Sequence, residues 1–371
     1  MAASREQLSA YLTWLDHNGV FYPKVVVRYV DANRGYGLFA KEAIARNELI
    51  IHIPDTITLS VANIRKMAPY GDMLKKQSKL NAGDEVVLFT IKERKNPKSD
   101  FKPYLDMIKD RTYTPLIAYG GISVDDLPTV MRPLWQVEKR HVHESYIHIK
   151  ELCPKMTKPD FEFAYNAVHT RSYKSQGNLC IVPLADMANH DFNPNTYQFR
   201  MDQHNPPLYT IMSARPIEKG EEITISYGAL DNSLLWFMFG FHIDNNPNNQ
   251  AGIPWTFLID YMLKDGLITP PVLAFIKENP LNPVVFANSN GRVSDGFTEN
   301  VQFLLSTADT IAGHPTPSKE QLETRTTRAI VSILRRFRTI VVQKADTVVK
   351  DVEFLWRDDV RSIDAVLAAL R

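Results

Sequence analysis

The sequence predicts an α+β protein: a β-rich region split by a helical insertion, then an all-helical C-terminal region. Three observations predict it. Short β-branched runs cluster at 25–53 and again at 179–226. Between them the periodicity is helical, with no long alternating run. Past a Pro/Asn-rich stretch at 245–249 it is helical again. On this reading residues 1–246 form one domain with its insertion at about 60–168, and 247–371 form a second.

The elements follow in order. Leu8, Tyr11, Leu12 and Leu15 stand at helical spacing, and Gly19 follows as a stop. Val25 to Val30 is a β-branched run and reads as a strand. A glycine turn leads to a second strand, Leu49 to Ile53, closed by Pro54. Asp84 to Phe89 and Val130 to Leu152 carry the helical pattern of the insertion. Strand-like runs return at Leu179–Pro183, Thr196–Phe199, Tyr209–Met212 and Glu222–Ser226. In the C-terminal region Thr326 to Val342 is the clearest helix. There Ile330, Ile333, Leu334, Phe337 and Val341 share one face.

Composition narrows the function classes. Hydrophobic residues make up 44% and charged residues 23% of 371, enough for a core without staples. With 43 basic and 42 acidic residues the net charge is +1, so neither nucleic acid nor an anionic membrane is an expected partner. Two cysteines, Cys153 and Cys180, build no disulfide framework and suit a reducing compartment. The start, MAASREQLSAYLTWLDHNG, has no basic head followed by an apolar run, so no secretory signal is expected. No apolar run approaches the roughly 20 residues that span a bilayer. The cytoplasm, and also the nucleus, is the expected location.

Gly35-Tyr36-Gly37-Leu38-Phe39-Ala40 fits the dinucleotide pattern G-x-G-x-x-G/A, with Asp55 near the ribose-binding position. Two features oppose a nucleotide-dependent oxidoreductase. Asp31 to Arg34 separate the strand from the first glycine, and Lys41 to Asn47 hold about two helical turns, too few for a crossover. The plainer reading is a bulged hairpin that needs glycine. His141, His143, His148 and Cys153 suggest metal ligands, but residues two apart on a helix face different ways, so no metal is expected. Arg335, Arg336 and Arg338 read as the solvated face of a helix or a patch for an acidic partner.

Three segments carry the functional signal: Arg34-Gly35-Tyr36-Gly37-Leu38, Pro183-Leu184-Ala185-Asp186-Met187-Ala188-Asn189-His190-Asp191-Phe192-Asn193-Pro194-Asn195, and Gly220-Glu221-Glu222-Ile223-Thr224-Ile225-Ser226-Tyr227-Gly228. In that order they resemble the SET-domain methyltransferases. The DMANH run and Gly240 to Asn246 resemble a narrower branch, that of the plant Rubisco large-subunit lysine methyltransferase and the animal actin-histidine methyltransferase. The resemblance is strong at 25–55 and 168–246 and weak after 250.

The resemblance implies a SET fold of small sheets with a pseudoknot. It implies S-adenosyl-L-methionine as cofactor and a protein substrate bearing a target lysine, acted on by a monomer. It puts the Arg34, Gly35, Tyr36 and Gly37 backbone against the cofactor, with Asn189 and His190 at its amino-acid and adenine ends. It adds Arg171, Asp186, Tyr227, Phe239 and Phe241 to the cofactor-binding residues, Arg171 gripping a carboxylate. Tyr227 is the implied catalytic residue, its hydroxyl facing the amine and the methyl. Tyr173, Tyr197 and Phe239 are the implied walls of a lysine channel, since aromatic faces suit an alkyl stem and an ammonium.

Read alone, several of these residues have structural alternatives. Asn-His is a common turn, Arg171 suits an ion pair, and Phe239 and Phe241 suit a core. The branch's histidine-modifying member has asparagine and tryptophan where this chain has Tyr173 and Ala185, which favours lysine. A tyrosine hydroxyl can still serve an imidazole nitrogen, so histidine stays open. A SET-like binding module without catalysis and a methyltransferase for a small amine are the other readings.

Overall fold

A computed structural model describes residues 3–32, 34–108, 122–175, 178–201, 207–278 and 283–370. The chain divides into two compact units. The first comprises Met1–Tyr119, Lys139–Ala229 and Phe237–Gly240; the second comprises Gly120–Glu138, Leu230–Trp236 and Phe241–Arg371. The mixed α+β class expected from the sequence is the one observed, small sheets among many helices.

The first unit opens on the helix Arg5–His17. Ser4 and Gln7 cap it reciprocally, which satisfies two otherwise orphaned amides. Its buried residues are Tyr11 and Leu15, one turn apart. The strand Val25–Asp31 then pairs antiparallel with Gly35–Ala40. Pairing slips between Tyr29 and Asp31, and Gly35 sits at φ 70°, where a side chain is disfavoured. The dinucleotide-like pattern is thus a bulged hairpin, with no crossover helix behind it. Gly35–Ala40 also pairs with Glu222–Ile225, which runs parallel to Asn189–His190. One four-stranded sheet therefore joins all three signal segments, brought from positions nearly 200 residues apart.

Two three-stranded sheets complete the unit. Leu49–Pro54, Leu208–Ser213 and Thr196–Met201 form one, and Leu59–Ser60, Asn178–Ile181 and Ser172–Ser175 the other. The last of these strands, and the two-residue Leu59–Ser60 and Asn189–His190, are too short to leave a periodic signal. The insertion is helical, with Ala82–Lys95, Lys102–Ile108 and Lys158–Arg171. Helix Arg132–Leu152 matches the expected Val130–Leu152; its first residues, through Glu138, cluster with the second unit. Val86, Val87, Leu88, Tyr104, Phe161 and Val168 join Leu38, Ile51 and Ile53 in one core. Each such side chain contributes about 1.5–3 kcal/mol by leaving water.

The second unit carries helices Trp255–Lys264, Pro270–Glu278, Asp295–Ile311, Lys319–Ala345 and Lys350–Ala369. Leu258, Met262, Phe297, Leu304, Ile333 and Leu334 fill its core. The expectation of an all-helical region needs correcting in one respect. Gln250–Pro254 and Val284–Asn288 pair antiparallel across some thirty intervening residues, a contact that local periodicity cannot reveal. Nor is the division a single cut at 246: residues 120–138 and 230–236 cluster with the second unit. Of the arginine trio, Arg335 and Arg336 are exposed, whereas Arg338 forms a two-pronged pair with Asp364.

Candidate active site

Tyr227 stands just past the end of Glu222–Ile225, beside the parallel strand Asn189–His190. Its ring lies between two others. His190 stacks on it at 5.2 Å and 28°, and Phe239 tilts against it at 4.9 Å. The Tyr227 N–H donates to His190 Nδ1 at 3.1 Å, and its hydroxyl donates to the Ala188 backbone oxygen at 3.0 Å. The other ring nitrogen, Nε2, is a buried atom with no partner. Burial pushes His190 below its usual pKa, against the Ile225 carbonyl and the Asp191 charge, so the ring is neutral at pH 7.

Tyr173 approaches the same short turn. Its hydroxyl donates to the Ala185 oxygen at 2.7 Å. Burial first, then Tyr209, Tyr227 and Asp186, push this phenol well above its usual value, with Arg171 opposing. Tyr173 therefore stays protonated and keeps donating. Its ring is 5.6 Å from that of Tyr209. Two tyrosine hydroxyls thus reach the first carbonyl of the 3-10 turn Ala185–Met187 and the carbonyl just past it.

Arg171 and Asp186, implied at the cofactor, hold each other. Arg171 Nη1 donates to Asp186 Oδ2 at 2.7 Å and to its backbone oxygen at 3.1 Å. Tyr104 donates to the same Oδ2 at 2.8 Å. The Asp186 side chain is 0% exposed. These side-chain donors all meet Oδ2, which matters because an unpaired buried charge is costly, while Oδ1 is buried with no hydrogen-bond partner.

The glycine strand meets the other two segments through side chains. Asn189 Nδ2 donates to Glu222 Oε1 at 2.7 Å, and Arg34, bonded to Asp31, reaches Glu222 Oε2 at 3.4 Å. A Cβ on Gly37 would stand 2.7 Å from Glu222 Oε1 and 2.9 Å from Asn189 Nδ2. Asn195, buried, receives the Thr224 N–H and donates to the Glu222 oxygen, which ties the Pro-Asn end of the second segment to the third. Tyr36 accepts the Ala3 N–H and meets Tyr29 edge-on.

Not every residue singled out in the sequence converges on Tyr227. Tyr197 is 41% exposed. It pairs with Met212, while Tyr209 pairs with Arg200 three positions along, so alternation puts Tyr197 and Tyr209 on opposite faces of their sheet. Tyr209, not Tyr197, is the ring beside Tyr173. His141 binds Asn81 through Nε2 at 2.7 Å. Tyr104, Tyr209 and Glu222 escaped sequence reading. Only Glu222 left a trace, as the second acid of Gly-Glu-Glu.

Small sheets that bring three separated motifs to one strand-end tyrosine define the class. The family model described as "SET domain" matches residues 35–228, just over half of the chain. The chain belongs to the SET-domain family. An Arabidopsis thaliana chloroplastic protein named [fructose-bisphosphate aldolase]-lysine N-methyltransferase is 24% identical over 266 residues, 66% of this chain and 54% of that one. The Pisum sativum ribulose-1,5 bisphosphate carboxylase/oxygenase large subunit N-methyltransferase is 24% identical over 265 residues, 66% and 53%. An actin-histidine N-methyltransferase of Dasypus novemcinctus is 24% identical over 242 residues, 59% and 40%. The chain spans about half the length of the first two. In fold it is similar to the SET domain of LSMT, whose crystal structure is bound to lysine and AdoHcy. The TM-score is 0.68 at 16% identity, covering 98% of this chain and 91% of that one.

Proposed function

We propose that this chain transfers a methyl group from S-adenosylmethionine to a lysine side-chain amine of a protein substrate. The observation that carries the proposal is Tyr227, held by three neighbours at the junction of the three motifs. Relatives named as lysine methyltransferases support the same reading.

The fit of the cofactor rests on this chain's own groups. His190 Nε2 is a buried nitrogen without a partner in the ring stacked on Tyr227, the kind of atom a ligand satisfies. The strand Gly35–Ala40 and the pair Asn189–His190 flank Glu222–Ile225 in one sheet; Asn189–His190 is its edge strand, while Gly35–Ala40 is also paired with Val25–Asp31. When bound, the cofactor supplies a methyl on a cationic sulfur. Arg171 and Asp186 are bonded to each other and, in this proposal, serve the frame around the site.

The chemistry then needs little from acids and bases. A lysine amine has a pKa of ~10.4 in water and must arrive neutral. Removal from water in a narrow channel disfavours its charged form, which lowers that value. The Tyr227 hydroxyl donates its hydrogen bond to the Ala188 carbonyl, so its oxygen remains an acceptor for the amine N–H. In-line alignment at close distance supplies most of the remaining acceleration. A second reading, transfer to histidine, is supported by the actin-histidine relatives.

The test is transfer of labelled methyl from S-adenosylmethionine to cell-extract proteins, followed by acid hydrolysis and separation of the amino acids. Label in methyl-lysine supports the proposal. Label in methyl-histidine moves it to the second reading, and label only in small amines rejects a protein substrate. Calorimetry with S-adenosylhomocysteine and with NAD completes the test: binding of NAD alone would return the chain to the oxidoreductase reading.

A further inference from the structure

The turn Leu184–Ala188 combines a constrained backbone with a sealed polar network. Leu184 is fully buried and sits at φ 79°, in the left-handed region a leucine rarely adopts. Such a conformation persists where the surroundings over-determine it. Here the surroundings are Arg171, which bridges the carboxylate and the carbonyl of Asp186, and Tyr104, which donates to that carboxylate. The next carbonyl upstream, that of Ala185, takes the Tyr173 hydroxyl, and that of Ala188 takes the Tyr227 hydroxyl.

We propose that Asp186, gripped by Arg171 and Tyr104, is a positioning residue. It sets the direction of the Ala185 and Ala188 carbonyls and, through them, the directions of the Tyr173 and Tyr227 hydroxyls. The role rests on the methyltransferase reading for its purpose but not for its geometry. Tyr104 lies in the helix Lys102–Ile108 and Arg171 ends the helix Lys158–Arg171, so the helical insertion orients the site without touching the substrate. Two donors on one oxygen hold the carboxylate along two directions, and a single donor would leave it a rotation. The Tyr11 hydroxyl of the N-terminal helix is fully buried and feels the Asp186 charge, but it makes no hydrogen bond to the network.

The experiment is Tyr104→Phe in the full chain, read by the ring Cζ resonances of 13C-labelled tyrosine. The resonances of Tyr173 and Tyr227 move, while that of Tyr70, bonded to Glu93, stays in place. In transfer assays kcat falls about 10- to 100-fold, with KM for S-adenosylmethionine within about threefold. A folded Tyr104→Phe whose Tyr173 and Tyr227 resonances and kcat match the parent overturns the proposal. Should that variant not fold, 3-fluorotyrosine at position 104 keeps the hydroxyl and alters only its donor strength, and the same two resonances decide. If they shift while the parent protein transfers no methyl to anything, the positioning role stands and the methyltransferase reading fails.

Discussion

The Tyr227 hydroxyl donates to the backbone oxygen of Ala188 at 3.0 Å, so the side chain just past the end of one strand is bound to the residue just before the parallel strand beside it. The Tyr227 N–H returns to that strand through His190. Position and direction of the phenol are therefore set by one short segment.

Tyr227→Phe keeps the ring between His190 and Phe239 and removes only the oxygen. Methyl transfer is expected to fall by about 10²-fold or more, in line with the loss of one preorganised polar group. Binding of S-adenosylhomocysteine stays within about threefold. The checks are single-turnover transfer and calorimetry; a variant as active as the parent removes Tyr227 from the chemistry.

Phe239→Tyr brings a hydroxyl to a ring 4.9 Å from that of Tyr227. Added volume and a new hydrogen-bonding group leave less room for a methylated amine. The highest methylation state of the product is expected to drop, as seen by intact mass of the modified substrate. An unchanged state puts Phe239 outside the channel.

Gly37→Ala drives a Cβ against Glu222, Asn189 and Val30, the last at 3.1 Å. The Asn189–Glu222 hydrogen bond must open or the strand must shift. The expected loss is about 1–3 kcal/mol of stability, together with weaker S-adenosylhomocysteine binding. Urea denaturation and calorimetry read the two separately. Normal stability would mean that the Glu222 side chain simply swings aside.

His190 makes the molecule sensitive to mild acid. In the unfolded chain the imidazole takes a proton near pH ~6.5, whereas burial lowers the pKa in the folded state. Below about pH 6.5 the unfolded state binds more protons, so stability falls as pH falls. Protonation also puts a hydrogen on Nδ1 and removes the acceptor for the Tyr227 N–H. The thermal midpoint between pH 7.5 and 5.5 should drop more steeply for the parent than for His190→Gln. Equal slopes would assign the sensitivity to other groups.

Much of the fold is legible locally. The strand runs at 25, 49, 179, 196, 209 and 222 appear close to their expected bounds, and the helix expected at Thr326–Val342 lies within the longer Lys319–Ala345, because periodicity and turn residues act within a few positions. Asn189–His190 as a strand, and the pairing of Gln250–Pro254 with Val284–Asn288, were not legible, because pairing depends on partners far along the chain. The site divides in the same way. Tyr227, Asn189 and His190 announce themselves through motif context. Tyr209 replaces Tyr197 beside Tyr173 only because of register, and register is a property of two strands.

The sequence by itself determined the α+β class, the three motif segments and the residue types the chemistry needs. It did so because glycine, Asn-His and a strand-end tyrosine impose local constraints that survive in any context. Only the tertiary structure decided what Arg171 and Asp186 hold. A fork of donors and a carboxylate fit a ligand or one another equally well on paper. Burial removed water as the alternative partner, and Tyr104, arriving from 82 residues away, added a second donor to Asp186 Oδ2.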